Sequence, residues 1–175
     1  MSASKAGIGE NRTQEAYLYL MTKISELPDG LRVALTNRDF IVFDGECVLC
    51  SGFFRFMLKH DHAERYSFVI AQSSLGRELY AALDLPTRDF ETNLVIVDGL
   101  IHQRLDAFAA AMATLGWPWR VLAALRFLPG FMKDSAYHAI ARNRYRLFGR
   151  YDSCMMPTPE IRDRFLDVPQ ERAAE

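Results

Sequence analysis

Two of the three cysteines in the chain, Cys47 and Cys50, stand three residues apart behind an apolar run at residues 40–43. Asp44 precedes Cys47 by the same interval. If the run is a strand and a helix begins near Cys47, this cysteine lies where unpaired backbone N–H groups and the helix dipole stabilise a thiolate. A thiol in that position has a lowered pKa and is reactive at neutral pH. The spacing therefore predicts Cys47 as an attacking thiol.

Cys50 and Asp44 are predicted to assist Cys47. Cys50 lies one helical turn further on, with its Cβ atom roughly 5–6 Å from that of Cys47, so modest movement brings the two sulfurs into bonding range. Burial at this inner position disfavours the thiolate, and Cys50 is therefore the candidate resolving thiol. Two interpretations of Asp44 are open. It acts either as a base that takes the proton of Cys50 or as a carboxylate that stabilises the turn.

Other interpretations of the cysteines also remain open. Cysteine is among the most buried residue types, so the pair could simply belong to the core. Cys-x-x-Cys also supplies two of the four ligands of a structural zinc site, which Cys154 and a histidine could complete. Cys154 could instead be a third redox thiol or an idle one. The alternative function is then a non-catalytic binding module with structural or zinc-bound cysteines and a basic C-terminal helical surface.

The composition excludes several classes of protein. The 175 residues are 50% hydrophobic and 12% aromatic, enough for a buried core. Lys and Arg number 21 against 22 Asp and Glu, so a nucleic-acid partner is not expected. Few cysteines and no secretory pattern in the first thirty residues predict a cytoplasmic protein. Arginines and prolines interrupt the apolar stretch at 117–132, which excludes a transmembrane segment but leaves contact with a membrane surface open.

The apolar pattern places the cysteines in an α/β domain. Strands are predicted at residues 40–43, 66–71, 94–97 and 100–102, and helices at 48–60, 74–83 and 106–115. The order is β-α-β-α-β-β-α. Strands separated by helices are expected to pair in parallel, and the last two form an antiparallel hairpin at Asp98-Gly99. A further helix is predicted at 13–27, ended by Pro28-Asp29-Gly30.

The C-terminal third of the chain differs from the rest in composition, because it alternates apolar and basic residues. Between residues 117 and 150, seven basic residues accompany one acid, Asp134. Two helices broken at Pro129-Gly130 are predicted, then a tail that is mostly loop around a helical turn at 161–166. The basic residues at 142–150 either bind RNA or a phosphate-bearing ligand, or belong to a helix that buries its aromatics and exposes its arginines. We expect an N-terminal extension (1–37), a core (38–116) and a helical extension (117–175) packed on that core.

The sequence Asp44-Gly45-Glu46-Cys47-Val48-Leu49-Cys50 resembles the signature of the thiol-disulfide oxidoreductase DCC family. The strand and turn at 95–99 and the segment 141–150 are also similar to that family. The resemblance implies a thioredoxin-like core with extra helices at both ends, acting on an unknown protein or small-molecule thiol or disulfide. No organic cofactor is implied, because the cysteine pair itself carries two electrons, and no residue is assigned to a metal in this interpretation. The chain differs from thioredoxins at Glu91-Thr92-Asn93, where they place a cis-proline.

Overall fold

A computed structural model describes residues 23–35, 38–152 and 155–167 of the chain. The strands are β1 (Asp39–Phe43), β2 (Tyr66–Ile70), β3 (Leu94–Val97), β4 (Leu100–Gln103) and β5 (Phe165–Asp167). The helices are α1 (Asp29–Leu35), α2 (Val48–His60), α3 (Ser74–Ala82), α4 (Arg104–Thr114) and α5 (Gly130–Phe148). Short 3₁₀ helices lie at Ile24–Glu26, Trp119–Phe127 and Pro159–Arg164.

The five strands form one mixed sheet in the order β4-β3-β1-β2-β5. β1 pairs in parallel with β2, and β2 pairs in parallel with β5. β3 runs antiparallel to both β1 and β4. The predicted α/β class is confirmed, and the sheet is consistent with a thioredoxin-like fold. The expected parallel pairing is wrong for β3, because the loop after α3 returns the chain in the opposite direction on the other side of β1.

The side chains of β1 alternate between two hydrophobic cores, as the pleat of a strand requires. Phe40 and Val42 belong to the core formed with α1 and α3. Ile41 and Phe43 belong to the core formed with α2 and α4, where the ring of Phe54 stacks on Phe43 at a centroid distance of 4.8 Å. Burial on both faces fixes β1 firmly, and the turn that follows it therefore starts from a rigid position.

Most predicted elements between residues 40 and 115 are confirmed to within two residues. The hairpin turn is also confirmed, with φ of 50° at Asp98 and 77° at Gly99, a conformation that glycine adopts without steric cost. Residues 13–22 of the predicted N-terminal helix lie outside the described residues, and only a 3₁₀ turn follows at Ile24–Glu26. Pro28-Asp29-Gly30 stands at the start of a second helix, since α1 begins at Asp29. The tail adds β5, which the sequence did not predict.

Helix α5 is attached mainly through polar side chains. Lys133 bonds the carboxylate of Asp106 with an Nζ–Oδ1 distance of 2.8 Å. The hydroxyl of Tyr137 donates to the carbonyl oxygen of Glu91 at 2.6 Å. By contrast, Ile140 on the same helix is 48% exposed. The division into segments 1–37, 38–116 and 117–175 stays a prediction.

Candidate functional site

The turn between β1 and α2 presents both predicted cysteines. β1 ends at Phe43 and α2 begins at Val48, so Cys47 occupies the N-cap position of the helix. Its Sγ accepts the backbone N–H of Cys50 at 3.3 Å, which satisfies one of the donors that a helix start leaves unpaired. Both cysteines are free thiols.

Hydrogen bonding between the two cysteines separates their acidities. The bond from the Cys50 side chain lowers the pKa of Cys47 below the ordinary value of a thiol, to about 7, although burial acts in the opposite direction. The same bond, together with burial, raises the pKa of the Cys50 thiol far above its ordinary range. The two thiols titrate as a coupled pair in which Cys47 carries the negative charge and Cys50 keeps the proton.

The solvent exposure of the two cysteines differs. Cys47 is 0% exposed, whereas Cys50 is half-buried. Burial disfavours the Cys50 thiolate, as expected, but the complete burial of Cys47 was not expected from its position at the start of the helix. The backbone of Cys47 is bridged to Arg150, in a part of the chain about 100 residues away, which the helical spacing could not reveal.

Four donors surround the buried carboxylate of Asp44. Its Oδ1 accepts the backbone N–H of Glu46 at 3.0 Å and the side-chain amide of Gln72 at 2.7 Å. Its Oδ2 accepts from the Arg144 guanidinium at 3.1 Å and from the hydroxyl of Tyr145. Gln72 also accepts the backbone N–H of Gly45 through its Oε1 atom, at 3.1 Å. These bonds support the interpretation of Asp44 as a residue that stabilises the turn.

The ion pair between Arg144 and Asp44 is almost completely removed from water. The two side chains are only 4% and 1% exposed. The guanidinium also donates to the carbonyl oxygens of Ala141, at 3.0 Å, and Asp89. Its Nε–H is buried without a hydrogen-bond partner among the described residues. A buried pair of this kind is strongly destabilised when one partner is removed, because the remaining charge is left without compensation.

A segment that follows α5, residues 149–152, covers the cysteine turn, and we call it the strap. Gly149 ends α5 with a φ of 94°, which favours glycine, and its carbonyl oxygen accepts the N–H of Val48 at 3.5 Å. The N–H of Tyr151 then donates to the carbonyl oxygen of Glu46 at 2.8 Å. Arg150, between them, forms a β-bridge with Cys47. The strap therefore lies along the backbone of Cys47.

Weak contacts hold the strap. The side chains of Arg150 and Glu46 form an ion pair, with an Nε–Oε2 distance of 3.0 Å. Because the Arg150 side chain is 56% exposed, solvent screens this pair, and such pairs stabilise proteins by less than about 1 kcal/mol. Backbone hydrogen bonds near the surface add modestly to it. The strap is thus a segment from which local opening is expected.

The structure brings Asp44, Cys47 and Cys50 together in one turn, as the sequence predicted. Cys154 lies outside the described residues. Sequence analysis missed Gln72, Arg144 and Tyr145. The basic stretch at 142–150 was a usable signal, because a buried carboxylate needs a cation and this stretch has an excess of them.

The interpretation of residues 142–150 as a helix with outward arginines is only partly right. Arg142 and Arg146 are exposed, but Arg144 is 3% exposed. Phe148 is 46% exposed, so the expected burial of the aromatics is also wrong at that position. Arg144 turns inward because it is the counter-ion of Asp44, from which it is separated by 100 residues of sequence.

The described residues contain neither a cluster of metal ligands nor a membrane-spanning helix. Among residues 23–35, 38–152 and 155–167, no group of three His, Cys, Asp or Glu side chains is placed to hold a metal ion. The zinc set with Cys154 involves a residue outside these ranges. No described helix is both long and apolar enough to cross a membrane.

Comparisons with known proteins give consistent matches. A family model for DCC1-like thiol-disulfide oxidoreductases matches residues 41–150. The uncharacterized protein YuxK of Bacillus subtilis is 36% identical over 126 residues, which cover 72% of this chain and 92% of that protein. A chloroplastic DCC family protein of Arabidopsis thaliana is 32% identical over 119 residues, which cover 67% of this chain and 69% of the plant protein. No solved structure matches.

Proposed function

Because the chain belongs to the DCC1-like thiol-disulfide oxidoreductase family, we propose that it exchanges thiols and disulfides through Cys47 and Cys50. The observation that carries this proposal is the hydrogen-bonded cysteine pair at the start of α2. The Cys47 sulfur accepts from Cys50, and its pKa of about 7 leaves a large thiolate fraction at neutral pH. The thiolate is the form that attacks a disulfide.

The reaction proceeds in two displacements. The Cys47 thiolate attacks one sulfur of a substrate disulfide, forms a mixed disulfide and releases the other substrate sulfur as a thiolate. Cys50 then loses its proton and attacks the Cys47 sulfur, which releases the second substrate thiolate and leaves a Cys47–Cys50 disulfide. The substrate gains two electrons and the cysteine pair loses them. A dithiol reductant regenerates the pair, and the reverse sequence oxidises a substrate dithiol.

Asp44 assists the second displacement. Because the pKa of Cys50 is raised, its proton needs an acceptor. The negative charge of the buried Asp44 carboxylate is close enough to raise the pKa of both cysteines. Accepting the proton requires Asp44 to give up one of its four hydrogen bonds, for example that of Tyr145. Asp44→Asn should then slow release of the mixed disulfide more than its formation. Equal slowing of both steps would leave Asp44 with the structural role alone.

Entry of a substrate requires movement of the strap. Cys47 is 0% exposed, and the strap runs beside it from Gly149 to Tyr151. We therefore propose that the strap shifts before a substrate sulfur reaches the thiolate. The substrate is an unidentified protein or small-molecule disulfide. The small number of cysteines favours a reducing compartment, and we place the reaction in the cytoplasm.

Alkylation against pH and trapping of adducts test this function. The alkylation rate of Cys47 should be half-maximal near pH 7 and fall about tenfold per pH unit below it, since only the thiolate reacts. Cys50→Ser should accumulate reductant-sensitive adducts with cellular thiols on non-reducing gels, and Cys47→Ser should not. Cys154→Ser is the matched control and should leave adduct yield unchanged. Half-maximal alkylation near pH 8.5, the value of a free thiol, would contradict the proposal.

A further inference from the structure

Residues 117–132, which we call the aromatic segment, expose apolar side chains to an unusual degree. Eleven of the 16 residues in this segment are apolar. Trp117, Phe127 and Phe131 are 82%, 76% and 74% exposed. Single exposed apolar residues are ordinary on protein surfaces, but several large ones along one short segment mark an interaction site.

The charges of the aromatic segment have one sign. It contains no Asp or Glu, and both of its arginines, Arg120 and Arg126, are exposed. The Arg126 guanidinium lies 4.7 Å from the ring centroid of Phe127, so these two side chains form a cation–π pair. The protein as a whole has a net charge of −1, which makes this cationic surface a local feature.

The inner side of the aromatic segment is firmly attached. Trp119 packs edge-on against Phe56 of α2, with 4.8 Å between the ring centroids. Ala123 is buried, and Lys133 donates to the carbonyl oxygen of Arg126 at 3.3 Å. The outer side chains are therefore presented by an anchored backbone. Their exposure is a property of the folded surface.

We propose that the aromatic segment binds the surface of a bilayer that contains anionic lipids. Trp and Phe side chains favour the boundary between headgroups and acyl chains, and such segments insert about 5–10 Å. Arg120 and Arg126 face lipid phosphates, and within the segment no carboxylate opposes them. The contact stays peripheral, since no described helix can cross a membrane. Binding of this kind is independent of the redox chemistry at Cys47.

Vesicle sedimentation of the purified full-length chain tests the proposal. Vesicles of phosphatidylcholine with about 30% phosphatidylglycerol should bind the chain at least tenfold more strongly than phosphatidylcholine alone at about 0.1 M NaCl. Raising the salt to about 0.5 M should weaken binding. The emission of Trp117 should shift to shorter wavelength on binding, and Trp117→Phe should remove most of that shift.

Paired variants separate the apolar and the electrostatic contributions. Phe127→Ser/Phe131→Ser should weaken binding to anionic vesicles more than tenfold, because the two aromatic rings that bury apolar surface in the membrane interface are removed. Arg120→Gln/Arg126→Gln should weaken it about 30-fold, from roughly fivefold per arginine. Arg142→Gln/Arg146→Gln on α5 is the matched control and should change binding less than twofold. Thermal unfolding of each variant confirms that it is folded.

Three results would overturn the proposal. The first is no sedimentation with anionic vesicles above that seen without vesicles. The second is equal binding to neutral and anionic vesicles with no effect of the Arg120→Gln/Arg126→Gln change. The third is a dimer in solution that Phe127→Ser/Phe131→Ser dissociates, without any vesicle binding, which would assign the segment to a second copy of the chain.

Discussion

Strand β1 and helix α5 reach the cysteine turn from different directions and are held by different forces. In β1, Phe40 and Phe43 are 0% and 1% exposed and belong to the two hydrophobic cores. On α5, the buried positions include Lys133 and Arg144, while Leu147 is 62% exposed. Besides its backbone pairing, β1 is fixed by apolar burial of its side chains, whereas the side chains of α5 that hold it act through ion pairs and hydrogen bonds. The position of α5, and of the strap that follows it, therefore depends on charge far more than the position of β1 does.

The largest effect on stability is expected in the core beside β1. Phe54→Ala removes the ring that stacks on Phe43 and contacts the ring of Phe68 edge-on at 4.7 Å. The free energy of unfolding should fall by about 4 kcal/mol, as is usual for a buried phenylalanine. Chemical denaturation measures this loss. Phe131→Ala, at a position that is 74% exposed, is the control and should cost less than about 0.5 kcal/mol.

The next largest effect is expected where α5 meets the turn. Arg144→Gln leaves the Asp44 carboxylate buried without its cation, and the free energy of unfolding should fall by about 3 kcal/mol. The pKa of Cys47 should rise, because the Arg144 charge helps to lower it. Alkylation against pH measures that rise.

Two comparisons test the assignment of the Arg144 effect to the ion pair. Arg142→Gln, an exposed change on the same helix, should alter neither stability nor thiol acidity. Combining Asp44→Asn with Arg144→Gln should cost clearly less than the sum of the single changes. If the losses in the free energy of unfolding were strictly additive, or if Arg142→Gln caused an equal loss, the Asp44–Arg144 pair would not be what holds α5 in place.

A smaller effect is expected at Tyr137. Its hydroxyl donates to the carbonyl oxygen of Glu91 at 2.6 Å and accepts the N–H of Asn93 at 3.1 Å. Tyr137→Phe removes both bonds and should cost about 1 kcal/mol. Chemical denaturation measures this loss in the free energy of unfolding. A loss as large as that of Phe54→Ala would show that α5 is held by apolar contact.

The smallest effect on stability is expected at the strap, where reactivity should change instead. Glu46→Gln and Arg150→Gln each break the exposed ion pair and should lower the free energy of unfolding by less than about 1 kcal/mol. Each should raise the alkylation rate of Cys47 about two- to fivefold at a pH where it is fully ionised, because the strap opens more often. Arg146→Gln is the control. Changes of opposite sign in the two variants would indicate a direct charge effect on the sulfur.

The local parts of this architecture could be predicted because they leave periodic signals. The apolar run before Asp44, the change to helical spacing after Cys47 and the Asp98-Gly99 turn each depend on neighbouring residues only. The candidate cysteine pair lies in the same short stretch. For this reason the strand, the turn and α2 were placed correctly.

The remaining parts could not be predicted because they depend on distant pairing. β5 has only three residues, too few for an alternating pattern, and its partner β2 lies about 100 residues earlier. The reversal of β3 depends on a loop without a regular signal. No spacing within residues 142–150 distinguishes the inward Arg144 from the outward Arg142, since only the position of Asp44 decides which arginine is buried.

The ion pair between Asp44 and Arg144 also sets an order of events during synthesis on the ribosome. The two residues are 100 positions apart, and the strap follows later still. At about 5–20 residues per second, the cysteines of a nascent chain wait roughly 5–20 seconds before their cover is made. During that interval neither Arg144 nor the strap protects them. The Cys47 sulfur, which is shielded in the finished protein, is thus open to oxidants and foreign thiols while the chain is being translated.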